Sequence, residues 1–278
     1  MLKTRIITAV VLLAILLPAL FASSPMPFAL LTLIMIGAGG WEWSKLNGAP
    51  GTPAIAFGVV LAAACGATLY ALGTQSPPAW CWWIAGLIWV LGGAFALRGG
   101  PLNWPKVSRV VRLVLGALAL WAAWLAIVQA KTIGINFLLS IFCLVWAADI
   151  SAYFGGRAFG KRKLAPAISP GKSWEGVWSG MLGVMVLALI WVHGIDTHVA
   201  VDSSSLFTVL IHRMGFISVL AIVFLCAMSV VGDLFESLIK RAVGAKDSSQ
   251  LLPGHGGVLD RVDALLPVFP LAMALSSL

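Results

Sequence analysis

Long apolar runs recur from one end of the sequence to the other, and they limit the chain to very few folds. Only 10% of its 278 residues are charged and its mean hydropathy is +1.01, whereas soluble domains carry about 25% charged residues. The runs are long enough for apolar helices that cross a bilayer. They lack the short alternating segments of a transmembrane barrel. The sequence therefore predicts an all-α, polytopic helical membrane protein.

Turn-forming and charged segments divide the runs into about nine predicted transmembrane helices. These spans are 6–22, 28–43, 54–73, 80–97, 113–129, 135–154, 177–192, 215–235 and 264–278. The first run follows Lys3 and Arg5 and could imitate a cleaved signal peptide, but its length and the many later spans favour a retained helix. We predict an N-terminal part, 1–130, with about five spans. The second part, 131–278, has polar loops at 155–176 and 236–263.

The distribution of basic residues predicts how the spans are oriented. With the N-terminus inside, all but two of the 18 Lys and Arg residues (Lys131 and Arg213) lie in predicted cytoplasmic segments, as the positive-inside rule requires. This places the N-terminus in the cytoplasm and the C-terminus on the outer, periplasmic side. It also accounts for the net charge of +8, so no nucleic acid is expected as a partner.

The four cysteines stand singly within apolar runs, at Cys65, Cys81, Cys143 and Cys226. The sequence has no Cys-x-x-Cys pair and no Cys/His cluster, so it predicts neither a zinc site nor a disulfide framework. We interpret the four side chains as thiols that pack as small apolar groups.

Two carboxylates lie within the apolar runs. Asp149 is about one turn from the end of the sixth predicted span, and Asp233 is near the end of the eighth. An ionisable group in a span is costly and marks a functional site by default. For Asp149 the alternative is a carboxylate that reaches the interface or pairs with Arg157. A surface of mixed charge would account for the neighbours of Asp233 but not for its depth.

The segment 237–263 is the longest polar stretch of the chain. Its Pro253-Gly254-His255-Gly256-Gly257 run permits close approach of backbone to a ligand and can form an anion-binding concavity. Asp260 and Asp263 follow, one helical turn apart. Asp233 and Asp260 beside basic residues suit a Mg²⁺-bound nucleotide, because Mg²⁺ commonly binds one or two carboxylates plus phosphates. The alternative is that these acids simply pair with nearby cations, Lys240, Arg241 and Arg261.

A second polar segment, 157–176, is basic and rich in Gly and Pro. Its polar side chains include Lys161, Arg162, Lys163, Ser169, Lys172, Ser173 and Glu175. Gly171-Lys172-Ser173 resembles the end of a P-loop, but Pro166 stands where that motif requires glycine. The cations would suit either nucleotide phosphates or the headgroups of anionic lipids.

Both polar segments resemble motifs of the phosphatidate cytidylyltransferase family. The first motif is Ser237, Lys240-Arg241, Lys246-Asp247, His255-Gly256-Gly257 and Asp260-Arg261-Val262-Asp263, in the family's order and spacing. The second is Asp149, Tyr153, Gly156-Arg157, Gly160-Lys161 and the run from Ser169 to Gly176, where Gly171 replaces a lysine common in the family. The rest of the chain resembles the family only in its apolar character.

This resemblance implies an enzyme of phospholipid biosynthesis. The implied reaction is Mg²⁺-dependent transfer of CMP from CTP to phosphatidate, which gives CDP-diacylglycerol and pyrophosphate. The resemblance further implies a second cation such as K⁺ and a homodimer in the bacterial inner membrane. The active site is then expected at the cytoplasmic face, in a catalytic membrane domain formed by 131–278.

The resemblance also implies roles for individual residues. Mg²⁺ ligands are expected at Asp233 and Asp260, with Asp263 and Asp247 as supporting or second-cation ligands. Phosphate contacts are expected from Lys240, Arg241, Lys246 and Arg261, with His255 as a phosphate contact or loop organiser. The nucleotide site is expected to include Asp149, Ser169, Lys172, Ser173, Glu175, Ser237, Gly256 and Gly257.

Other functions stay open at this point. An ion-coupled transporter would use Asp149 and Asp233 as relay acids, although transporters commonly bind substrate near the midplane between repeats and the acids here crowd one face. A CTP-dependent lipid kinase would release CDP instead of pyrophosphate. The alcohol phosphotransferases that use CDP-diacylglycerol are disfavoured, because the sequence has no Asp-Gly-x-x-Ala-Arg run.

Overall fold

Long helices account for most of the chain. The computed structural model describes residues 2–73 and 76–278, with side chains from residue 5 onward. The first part contains α1 (Leu2–Phe21), α2 (Met26–Leu46), α3 (Thr52–Leu72), α4 (Ala79–Gly99), a 3₁₀ turn (Trp104–Lys106) and α5 (Arg109–Ile133). The second part contains α6 (Ile135–Phe159), β1 (Lys163–Ala165), β2 (Ser169–Ser173), α7 (Trp174–Ile190), a π-helical turn (Trp191–Ile195), α8 (Asp196–His198), α9 (Leu206–Met214), a 3₁₀ turn (Gly215–Ile217), α10 (Ser218–Ala242), α11 (Leu259–Val262) and α12 (Leu265–Ser276).

Seven helical stretches among the described residues are long and apolar enough to cross a membrane. They are Met26–Leu46, Thr52–Leu72, Ala79–Gly99, Arg109–Ile133, Ile135–Phe159, Trp174–His198 and Leu206–Ala242. Each overlaps one of the predicted spans. The prediction of a polytopic helical membrane protein is thereby confirmed.

The first and last predicted spans differ from these seven. The described apolar part of α1, Arg5–Phe21, is shorter than the seven stretches. Helix α12 has only 12 residues, which gives about 18 Å at 1.5 Å per residue, less than the ~30 Å thickness of a hydrocarbon core. It is buried from Leu265 to Leu275 and packs against α4, α5 and α10. The apolar sequence of α12 thus reflects a place inside the bundle, and the count of nine spans stays a prediction.

Both predicted polar loops contain more regular structure than expected. In 155–176, α6 continues to Phe159, and an antiparallel hairpin of β1 and β2 follows. In 236–263, α10 continues to Ala242. An ion pair between Glu236 and Lys240, one turn apart, is of the kind that stabilises helices. The polar side chains of both segments are therefore held on regular elements.

Small residues bring α6 and α7 close together. A Cβ atom at Gly176 would lie 2.9 Å from the carbonyl oxygen of Ala152, and one at Gly180 would lie 2.9 Å from that of Ala148. Glycine at such contacts lets helix backbones approach closely in membranes. The packing fixes the end of α6 beside the start of α7, where the hairpin is attached.

Helix α6 connects the two ends of the bundle. We call the end with the hairpin and the segment 243–264 the site end. We call the end with Ile135 and the segment 196–205 the opposite end. At 25 residues, α6 separates them by about 37 Å.

Candidate active site

A cavity of about 430 Å³ opens at the site end, among α6, α7, α10 and β2. This volume falls within the range of about 300–1,000 Å³ that is usual for small-molecule sites. Five of the predicted site residues line it, namely Asp149, Ser169, Lys172, Ser173 and Asp233. The other lining residues are Ala152, Tyr153, Gly156, Arg157, Gly171, Gly176, Val177 and Val230. The fold thus brings residues of the second motif together with Asp233, which lies one helical turn before Ser237 of the first motif.

An ion pair between Lys172 and Asp233 joins β2 to α10 in this cavity. About a quarter of the Lys172 side chain and 30% of the Asp233 side chain stay accessible. The Ser237 hydroxyl donates to the other carboxylate oxygen of Asp233 at 3.3 Å. A lysine in this position can bind Asp233 or a ligand phosphate, because its ammonium group is a compact charge on a flexible stem.

Glu175 and Ser173 hold the hairpin in place. The Glu175 carboxylate accepts hydrogen bonds from the backbone N–H groups of Lys161 and Arg162, both at 3.1 Å, and from Arg162 Nε at 3.3 Å. The Ser173 hydroxyl accepts from the N–H of Gly176 at 3.2 Å and so caps α7. These contacts position the strand that carries Lys172.

Asp260 lies in a second polar cluster at the site end. Lys240 Nζ contacts Asp260 Oδ1 at 2.6 Å and also pairs with Glu236. Asp260 Oδ2 accepts from the N–H of Ser248 at 2.9 Å, from the Ser248 hydroxyl at 2.9 Å and from the N–H of Gly257 at 2.8 Å. Burial alone would raise the pKa of Asp260, but these hydrogen bonds, led by that from Lys240, lower it to about 2. Asp260 is therefore ionised and organises the segment from 248 to 257.

Glycine is required next to this carboxylate. Gly256 has a positive φ of +82°, and a Cβ atom there would lie 2.8 Å from Asp260 Oδ2. A side chain at Gly257 would collide with the hydroxyl of Ser248 and with Glu42. The Gly256-Gly257 pair thus lets the backbone close around Asp260, as the motif predicts for a turn with close backbone contacts.

The backbone of Asp263 lies against Gly232, the residue before Asp233 in α10. A Cβ atom at Gly232 would be 2.5 Å from the carbonyl oxygen of Asp263, so the two backbone segments are in contact. Loss of water contact, together with the negative charge of Asp233, raises the pKa of Asp263 to about 7. Two carboxylates this close repel each other, and a bound cation would relieve the repulsion.

The three predicted metal ligands do not form one cluster. Within 2–73 and 76–278, no group of three or more His, Cys, Asp or Glu side chains is arranged to hold a metal ion. The backbone next to Asp233 contacts Asp263, whereas Asp260 lies in the separate cluster with Lys240, Ser248 and Gly257. Mg²⁺ needs only one or two carboxylates when phosphates supply further oxygens. The residues present therefore fit a Mg²⁺ ion that binds together with a nucleotide.

The remaining predicted residues lie around the cavity lining, at the outer part of the site end. Arg241 contacts the carbonyl oxygens of Ile168 and Ala245, both at 3.4 Å. Arg261 donates to the carbonyl oxygen of His255 at 2.6 and 3.0 Å. Lys246 and Asp247 are exposed. In this arrangement the two arginines stabilise loops, and their predicted phosphate contacts stay predictions.

The sequence interpretation missed Glu42. This residue is completely buried in α2, and its carboxylate receives four hydrogen bonds from the segment 248–259. It belongs to the Trp41-Glu42-Trp43 run, which the sequence interpretation treated as the end of a span. The argument applied to Asp149, that an acid within an apolar run is costly, would have identified it.

The fold and the site together define a class of protein. A cavity at the end of a membrane-helix bundle, with carboxylates paired to lysines, is typical of an enzyme that handles charged phosphate groups beside a lipid bilayer. The model of the cytidylyltransferase family matches residues 3–278. The chain therefore belongs to the cytidylyltransferase family, and the predicted family resemblance is confirmed.

Curated relatives agree with this assignment. The chain is 39% identical to the phosphatidate cytidylyltransferase of Haemophilus influenzae, over 97% of this chain and 96% of that protein. It is also 39% identical to the phosphatidate cytidylyltransferase of Pseudomonas aeruginosa, over 99% and 97%. A phosphatidate cytidylyltransferase of Brucella abortus is 43% identical over 48% of this chain and 44% of its own length.

Proposed function

We propose that this chain is a phosphatidate cytidylyltransferase, which transfers CMP from CTP to phosphatidate. The observation that carries the proposal is the cavity at the site end, where Lys172 of the second motif meets Asp233, which in turn accepts a hydrogen bond from Ser237 of the first motif. The near full-length similarity to enzymes with this name supports the same reaction. Such a site accepts a nucleotide from water and a lipid headgroup from the bilayer.

In this reaction a phosphate oxygen of phosphatidate attacks the α-phosphorus of CTP. The new P–O bond forms as the bond from the α-phosphorus to the bridging oxygen of the β-phosphate breaks, and pyrophosphate leaves with that oxygen. CDP-diacylglycerol is the other product. Phosphoryl-type transfer of this kind depends on positioning and charge stabilisation, so no residue needs to bond covalently to the substrate.

The cations at the site end would bind the phosphate groups. Lys172 and Arg157 both line the cavity, and Lys240 lies between Glu236 and Asp260. In the structure Lys172 pairs with Asp233, and Lys240 pairs with Glu236 and Asp260. We expect the two lysines to contact the triphosphate or the headgroup when substrates bind, since charge-assisted contacts to phosphate are strong.

The residues that would hold Mg²⁺ are Asp233, Asp260 and Asp263. Asp247 would help to hold a second cation such as K⁺. Mg²⁺, when bound, offsets the negative charge of the triphosphate and of the transferred group. Ser169, Ser173 and Asp149 then complete the wall of the nucleotide site.

The location of the enzyme is part of the proposal. We propose about nine membrane helices, of which the last, α12, is enclosed by α4, α5 and α10. The N-terminus would lie in the cytoplasm and the C-terminus in the periplasm, in the inner membrane of a bacterium. All but two of the 18 Lys and Arg residues lie in predicted cytoplasmic segments, which include both polar loops of the site end. This supports a cytoplasmic active site. A homodimer is proposed on the family resemblance alone.

A product assay tests the function directly. Purified protein in detergent is given CTP, phosphatidate and Mg²⁺, and pyrophosphate and the liponucleotide are measured together. We expect equal amounts of pyrophosphate and CDP-diacylglycerol. Release of CDP without pyrophosphate would identify a lipid kinase instead, and no product with any divalent cation would contradict the proposal.

A further inference from the structure

Glu42 is a buried carboxylate that the proposed chemistry does not use. It lies in α2, with none of its surface accessible, between two tryptophans of an otherwise apolar helix. A carboxylate at such a place is unfavourable unless hydrogen bonds replace the lost water. Its partners therefore indicate why the residue is there.

Both oxygens of Glu42 are held by the segment 248–259. Oε1 accepts from the Ser249 hydroxyl at 2.5 Å and from the N–H of Val258 at 2.9 Å. Oε2 accepts from the Ser248 hydroxyl at 3.2 Å and from the N–H of Leu259 at 2.7 Å. The contacts join residues 206–217 positions apart in the sequence. Glu42 thus fixes this segment to α2.

The same segment surrounds Asp260. The Ser248 hydroxyl lies between Glu42 Oε2 and Asp260 Oδ2, at 3.2 and 2.9 Å, and shares its single hydrogen between them. Gly257 donates its N–H to Asp260, and its missing side chain leaves room for Glu42. The two carboxylates therefore hold one loop from two sides, and Asp260 in turn contacts Lys240.

We infer that Glu42 is a positioning residue, which sets the location of Asp260 and Lys240 through the segment 248–259. It does not touch the substrates. The predicted effect of Glu42 on kcat rests on the proposed function, because we place Asp260 and Lys240 in that reaction. A carboxylate suits the position because both of its oxygens accept hydrogen bonds, whereas a glutamine amide would direct its NH₂ group toward two of the four donors.

Glu42→Gln is the main test, with Thr32→Val as its matched control. Thr32 is also buried in α2, but its hydroxyl donates to the carbonyl oxygens of Phe28 and Ala29 within the same helix. Hydrogen exchange of the peptide containing 248–259 reports the position of the loop without any need for activity. The kcat and the KM for CTP report its effect on the reaction.

We expect Glu42→Gln to speed exchange in 248–259 at least about tenfold, the equivalent of one lost hydrogen bond to a charged group. Exchange in the hairpin 163–173 should not change. The kcat of the folded protein should fall about 10–100-fold, with a smaller change in KM, because the loop holds reacting-site groups. Thr32→Val should leave both readouts within about twofold of the wild type, since the hydrogen bonds described for Thr32 stay within α2.

Ser249→Ala is the second variant, since Glu42→Gln could fail to fold. It removes one donor to Glu42 and keeps the charge, so we expect the same two changes at smaller size. Normal exchange in 248–259, or normal kcat despite faster exchange, would overturn the inference. If the wild type makes no CDP-diacylglycerol, the proposed function fails, while the exchange comparison still decides whether Glu42 holds the loop.

Discussion

Carboxylates occur at both ends of α6, but the groups that contact them differ. At the opposite end, Asp202 accepts from the N–H groups of Ile135 at 2.6 Å and Asn136 at 3.0 Å. Asp196 accepts from Ser205 and Thr208 hydroxyls, both at 2.5 Å, among others. At the site end, Asp233 and Asp260 instead contact lysines.

This difference distinguishes carboxylates that stabilise the fold from carboxylates that can take part in catalysis. Neutral N–H and hydroxyl donors at the opposite end are fixed by the backbone, and they satisfy both oxygens of each carboxylate. A lysine ammonium can move to an incoming phosphate and leave its carboxylate to a cation. The kind of partner, more than the burial of the acid, therefore distinguishes Asp233 and Asp260 from Asp196 and Asp202. Glu42 fits the same rule, because its donors are all neutral and it holds a loop.

The largest effect is expected from Asp260→Asn. It removes the charge that Lys240 contacts and directs an amide toward the donors of Ser248 and Gly257. We expect turnover to fall by about 10²–10³-fold or more, as when an electrostatic group of an active site is lost. Initial rates of pyrophosphate release from the folded, purified variant would check this. Near-normal turnover would exclude Asp260 from the site.

Lys172→Met tests the cation in the cavity. A charged hydrogen bond contributes about 1.5–3 kcal/mol, so we expect kcat/KM for CTP to fall about 10–100-fold. Lys131→Met is the control, because Lys131 is a buried lysine at the opposite end that contacts only a backbone carbonyl in Ala22 among the hydrogen bonds described. An equal loss of kcat/KM in both variants would show that the cavity lysine has no special role.

Gly256→Ala tests the close backbone contact with Asp260. The new Cβ atom would lie 2.8 Å from Oδ2, at a backbone φ of +82°. Gly244→Ala is a matched control, since it has a φ of +69° and no atom within 4 Å of its new Cβ. Strain at such a φ costs of order 1–3 kcal/mol in each variant. We expect Gly256→Ala to lose additional stability and most of its turnover, measured by thermal unfolding and pyrophosphate release.

The smallest effect concerns pH and Asp202. Burial alone would raise its pKa, but the N–H groups of Asn136 and Ile135 donate hydrogen bonds that keep the pKa below the ordinary 3.8. A lowered pKa stabilises the fold above the ordinary value, and the stabilisation is lost as pH falls through the folded-state pKa. Because Asp202 is exposed, solvent screening keeps its contribution small, and Asp202→Asn should reduce stability by less than about 1 kcal/mol at neutral pH. The difference from wild type should shrink in thermal unfolding as the pH falls below 3.8, and a difference that does not change with pH would contradict this.

Much of the helical framework could be predicted from the sequence, because apolar runs and their breaks are local properties. The seven stretches suited to a membrane all follow predicted spans. The position of α12 was harder to predict, since an apolar helix buried in protein has the same composition as one that faces lipid. The β1–β2 hairpin was not predicted, because its strands are short and polar.

The site could be predicted only in part. Asp149 and Asp233 stood out because charges are costly within apolar runs, and both line the cavity. The pairing of Lys172 with Asp233 depends on the packing of α6, α7 and α10, which no local pattern shows. The same holds for Glu42, whose partners lie more than 200 positions away.

The comparison of the two ends is tested most directly by one pair of variants, Asp233→Asn and Asp202→Asn. Each removes one carboxylate charge, at the site end or at the opposite end. The measurement is the rate of pyrophosphate release from CTP and phosphatidate, for protein that elutes as a single folded species. The account predicts a loss of about 10²–10³-fold for Asp233→Asn and a rate within about threefold of wild type for Asp202→Asn. Equal rates for the two variants would contradict it.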